Sequence, residues 1–189
     1  MDRGHEDRRR RLERRVRILL GLVVAGLVLS GVTAFPIETE LRLATRLLGL
    51  GPGTDPSTLG PVSAWLVQVR DAVVATNAAY PFLAYGTDWL AFAHLVIAVA
   101  FLGAFRDPVR NEWIVMFGLI ASAGIFALAV LAGPVRGIPW FWTLVDCAFG
   151  VGCGVPLLLC LRDIRELAAM PSRAADGMRA PGAPPGMAH

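Results

Sequence analysis

His94 and Asp146 are the residues of this chain whose type and setting could do chemistry. His94 closes YGTDWLAFAH and is followed by LVIAVAFLGAF, which carries no charge. Asp146 is the sole charge in IPWFWTLVDCAFGVGCGVPLLLC. An imidazole exchanges a proton near neutral pH, and a carboxylate can share or steer that proton. Such a pair suits proton exchange or the holding of a polar ligand. With a nucleophile added, it also suits general base catalysis. The hydroxyls nearest at hand are Thr143, one turn ahead of Asp146, and Tyr85, ahead of His94. Arg136, in GPVRGIP, offers a cation to an anionic group. Asp88 follows Thr87 where the helix holding His94 is expected to open. A carboxylate in a first turn meets free amide donors and the positive dipole end, which predicts a capping role, with Arg136 as an alternative partner.

The elements that must position these residues are membrane spans. With 55% hydrophobic and 17% charged residues among 189, and a mean hydropathy of +0.56, the chain is too apolar for a soluble protein. Four apolar runs can cross about 30 Å of hydrocarbon. They are Ile18 to Phe35, Trp89 to Phe105, Trp113 to Ala132 and Trp140 to Leu161. None alternates as a barrel strand does, so the expected fold is all-α, an integral membrane four-helix bundle. It occupies residues 18–166, between a basic N-terminus (1–17) and a tail (167–189) rich in Ala, Pro and Gly and expected to be disordered.

Arginine sets the orientation, since the chain has no lysine. Eight arginines precede the first run, Arg106 and Arg110 lie between the second and third, and four follow the fourth, against Arg42, Arg46, Arg70 and Arg136 on the other side. The positive-inside rule then places both termini in the cytoplasm of a bacterial inner membrane. The basic N-terminus is a topology anchor touching anionic headgroups, and no nucleic acid partner is expected. Val32-Thr33-Ala34 has the form of a cleavage site, but the uncharged run is longer than a signal core, which favours an uncleaved anchor.

Residues 36–86 are then extracytoplasmic and predict two short amphipathic helices. In PIETELRLATRLLGLGPG, acidic residues open the first, Glu38 and Arg42 pair at i, i+4, and glycines stop it. In VSAWLVQVRDAVVATN, Trp65, Leu66, Val69 and Val73 share one side and Gln68, Arg70 and Asp71 lie elsewhere. Both are expected to lie on the membrane surface or over the bundle. RDPVRNEW reads as a tight turn with an interfacial charge cluster.

Counting rise along each helix, His94 and Asp146 each fall about 9 Å below the outer boundary. A shared layer explains why each is tolerated, because a charge at that depth needs a partner. Below Asp146 the spacing of Gly150, Cys153, Leu157 and Cys160, with Gly154, predicts a close-packed stripe, matched by Gly118, Ala121, Ser122, Ile125 and Ala129 in the third run. Pro156 is expected to loosen the helix near Gly152. Cys147, Cys153 and Cys160 lack redox or metal spacing. No metal or cofactor is expected. Haem on His94 requires a second chain or another ligand.

GTDWLAFAH, DPVRNEW and RGIPWFWTLVDCAFG resemble an uncharacterised family of small bacterial multi-pass membrane proteins, over residues 36 to about 166. That resemblance implies a bacterial inner-membrane setting and nothing about chemistry.

Two functions fit. One is a non-enzymatic binding, accessory or oligomeric transport component that uses the His94 and Asp146 layer for binding or proton exchange and has a second copy or another membrane protein as its partner. The other is an enzyme acting on a lipid or lipid-linked substrate, with His94 as base, Asp146 orienting it, Arg136 on the headgroup, and Thr143 or Tyr85 as nucleophile. The absence of a phosphate loop and of a nucleophile-base set favours the first.

Overall fold

The structure, a computed structural model, describes residues 2–170, which contain helices and connecting turns but no strand. The α-helices are α1 (Asp2–Ala34), α2 (Ile37–Leu47), α3 (Pro61–Ala79), α4 (Ala84–Arg106), α5 (Glu112–Val135) and α6 (Trp140–Ala169), with 3-10 turns at Pro56–Thr58 and Pro81–Leu83. Four of them, α1, α4, α5 and α6, are long and apolar enough to cross a membrane. The protein is a helical multi-pass membrane protein. Large apolar side chains such as Leu29, Trp89, Leu128 and Leu158 stand exposed on these helices, as expected where lipid is the solvent.

Two compact units divide the chain: Leu20–Arg106, and the residues up to Leu19 together with those from Asp107 onward. In the first, the later part of α1 runs antiparallel to α4. A Cβ on Gly21 would come 3.7 Å from the Phe105 ring, and one on Gly31 would come 2.9 Å from the Ala91 carbonyl oxygen. The side of α4 turned inward carries Ala91, Ala98, Phe101 and Ala104, all buried. The helix opens at Ala84, directly after the 3-10 turn that Pro81 begins, so Asp88 lies beyond its first turn. The expected capping role of Asp88 is therefore corrected: Pro81, with its fixed φ, starts the helical path a turn earlier.

Helices α2 and α3 belong to the same unit. Glu38 of α2 accepts a hydrogen bond from Asn77 Nδ2 of α3 at 2.8 Å and pairs with Arg42 at 2.8 Å. In α3 the inward line runs through Val67 and Arg70, both buried, while Trp65, Leu66, Val69 and Val73 are only partly covered. Arg70 was expected among the outward polar residues. It turns inward because its Nη1 donates to the carbonyls of Leu50 (2.8 Å) and Gly51 (3.1 Å), where the chain leaves α2. Asp71 balances its charge at 2.8 Å.

In the other unit α5 and α6 form an antiparallel hairpin. Gly137, at φ +68°, makes the left-handed turn between them, and Ile138 N–H donates to the Gly133 carbonyl at 2.9 Å. The buried line of α5 is Val115, Gly118, Ser122, Ala129 and Gly133; Ala121, expected on it, faces outward. The buried line of α6 is Gly150, Leu157, Cys160, Asp163, Ile164 and Leu167, and the helix runs unbroken through Pro156. Because α6 continues to Ala169 with Leu167 buried, residues 167–169 are helical rather than tail. The disorder expected further on falls outside the described residues. The basic segment is also helical. It extends α1 because Leu12, Val16, Leu20 and Val23 keep a helical apolar stripe across it, with Val16 and Leu20 wholly buried.

Candidate functional site

Pro139 stands just before Trp140, so α6 carries Asp146 well inside the helix, past any amide that a cap could satisfy. The carboxylate flanks the seam with α5. One turn toward the helix start, Thr143 Oγ1 lies 3.2 Å from where a Gly133 Cβ would sit. One turn the other way, a Cβ on Gly150 would meet the Phe126 ring at 2.8 Å and the Ser122 carbonyl at 3.2 Å. The two helices thus touch on both sides of Asp146 through positions where one partner has no side chain. Asp146 itself is half-buried, and among the described residues of its unit no hydrogen bond or ion pair engages it. The Thr143 hydroxyl lies 3.5 Å from the Pro139 carbonyl, at the outer limit of a hydrogen bond. Arg136 caps the end of α5 through its backbone N–H and leaves its side chain exposed in the turn before α6.

In the other unit His94 sits on the inward side of α4, between Ala91 and Ala98 in helical register, and is half-buried. Its Nδ1 lies 2.8 Å from the Leu90 carbonyl oxygen. A carbonyl can only accept, so Nδ1 carries the proton and Nε2 of the neutral ring is left with a free lone pair. Nearer the start of α4, Asp88 is half-buried and Tyr85 is exposed, edge-on to Trp89 at 5.9 Å. Each unit therefore aligns its own candidates: Thr143 and Asp146 on α6 after Arg136, and Tyr85, Asp88 and His94 along α4. No group of three His, Cys, Asp or Glu side chains suited to a metal ion exists among the described residues.

Sequence reasoning passed over Asp163. Its side chain is 5% exposed and pairs with Arg15 of α1 at 3.1 Å. Arg8 meets Glu166 at 2.7 Å, and Arg165 meets Glu112 of α5 at 2.9 Å. The available signal was spacing, since Asp163 continues the stripe of Gly150, Leu157 and Cys160. It was obscured because Arg162 and Arg165 beside it read as topology markers.

No protein-family model, curated protein or solved structure matches this chain. What the chain does must be read from its own residues.

Proposed function

We propose that the protein is a non-enzymatic binding or accessory component of a bacterial inner membrane, with Asp146 and, in the other unit, His94 each offering a polar intramembrane group near the extracytoplasmic face. Asp146 carries this reading. A carboxylate inside an apolar helix is costly when isolated, and no described residue of its unit bonds to Asp146, which leaves it for a ligand, a proton or another protein surface to compensate. His94 supports it, because fixing Nδ1 on the Leu90 carbonyl leaves Nε2 available to accept from a ligand or a proton donor. Small-residue contacts at Gly31 and Gly150 are used within the chain, by α4 and α5, and fix the helices that carry the two residues. The arginine distribution supports cytoplasmic termini, with residues 36–86 and the site toward the outer face.

Native mass spectrometry from mild detergent tests the proposal. A retained ligand or partner subunit that is lost in Asp146→Asn supports it. A bare monomer that turns over lipid, and stops doing so in His94→Ala, would replace it with the enzymatic reading.

A further inference from the structure

Helix α2 uses only part of its surface within the protein. Thr45 and Glu38 face α3, the first buried and the second bonded to Asn77. A quarter to half a turn around the helix, Leu43 is 54% exposed, Leu47 78% and Leu48 58%, with Ile37 also exposed. On the other flank stand Arg42 and Arg46, both exposed, while Thr39 and Glu40 lie a turn before Leu43 on its own side. The helix is therefore amphipathic in the sense that matters for a surface: its polar flank is charged, and most of its apolar face stands exposed among the described residues.

Continuity of the chain decides what covers that face. Between Ala34, the last residue of α1, and Ile37, the first of α2, lie only Phe35 and Pro36, no more than about 11 Å of chain. The outward apolar row of α1, Leu29 and Val32, passes through exposed Phe35 and Ile37 directly into Leu43 and Leu47. At the far end of the same segment Tyr80, Phe82 and Leu83 are exposed where α4 begins. Glu38 ties the start of α2 to Asn77 near the end of α3, so the two ends of this segment are held together beside the spans. Arg46 borders the leucines and Glu40 stands on their side in the first turn of α2, so both must reach up to headgroups, which limits insertion to the interfacial layer.

We propose that α2 lies in the interface of the bilayer that α1 and α4 cross, with Leu43, Leu47 and Leu48 inserted among the lipids. The occupant of the exposed face is the phospholipid surface, continuous with the lipid already around α1. This rests on reading α1 as a span.

The test places p-benzoylphenylalanine singly at Leu47, Leu29 or Arg42 of the full chain, reconstituted in vesicles of phosphatidylethanolamine and phosphatidylglycerol. After irradiation, intact mass reports the adduct. Phospholipid adducts are expected at position 47 with a yield like that at 29, and several-fold more than at 42. Lipid at 29 with none at 47, or a crosslinked dimer at 47, overturns the proposal while leaving the span intact. No lipid at 29 removes the span reading beneath it.

Discussion

Arg15 Nε and Asp163 Oδ2 lie 3.1 Å apart, joining the basic end of α1 to the last turns of α6, and the two side chains are unequally buried, 52% against 5% exposed. The pairs Arg8–Glu166 and Arg165–Glu112 extend the same contact. Arginines whose placement follows the positive-inside pattern thus also hold α1 and α5 against the end of α6.

The inequality predicts an asymmetry between single substitutions. Arg15→Ala leaves a buried carboxylate without its cation and should cost about 1 to 3 kcal/mol, reduced from a fully buried pair because Arg15 is half in water. Asp163→Asn removes the charge together with the demand for a partner and should cost less. Thermal unfolding of both variants in one detergent checks this, and equal losses would mean the pair acts as an ordinary surface bridge.

Gly31 and Gly26 share α1 but not surroundings. A Cβ at 31 would stand 2.9 Å from the Ala91 carbonyl oxygen, a backbone atom with little room to move, whereas at 26 nothing lies within 4 Å. Gly31→Ala should destabilise by about 1 to 3 kcal/mol through overpacking, while Gly26→Ala should be neutral or slightly stabilising. The same unfolding assay decides, and a neutral Gly31→Ala would argue against the close crossing of α1 and α4.

Outside the membrane, the hydrogen bond from Asn77 and then the bond from Arg42 hold the Glu38 carboxyl below its ordinary value of 4.5. A lowered folded-state value means that the contact between α2 and α3 stabilises fully above the unfolded value, and that this stabilisation is lost as pH falls through the folded one. Stability of the wild type should therefore drop in that acid range, and Glu38→Gln should flatten this part of the profile. An unchanged profile in the variant would show that Glu38 does not link the helices.

For the proposed site, Asp146→Ala and His94→Ala should each change stability by about 1 to 3 kcal/mol, and the double variant should cost less than the sum if the two share a ligand or proton. Strict additivity of unfolding free energies would mean that they act separately, leaving Asp146 alone to carry the site.

Much of this architecture was legible in the chain. Hydropathy over some twenty residues sufficed for four apolar helices, because in lipid a spanning backbone must satisfy its own hydrogen bonds and only a helix does so within one segment. The small-residue contacts at Gly150 and Ser122 were also visible, since their spacing follows the helical period. Which side of α3 turns inward was not. Arg70 is buried by the carbonyls of Leu50 and Gly51, acceptors twenty residues away that no local pattern announces. The start of α4 was misplaced because Asp88 looks like a cap, while Pro81 had already set the backbone. Asp163 and Arg15 stand at opposite ends of the chain, and only the folding back of α6 beside α1 turns two ordinary charges into a pair with one buried member. The sequence by itself determined the helices and their apolar faces, which depend on neighbours within a few turns. Tertiary structure alone decided which charges are buried and which are left without a partner, because that depends on what a distant segment brings to the same place.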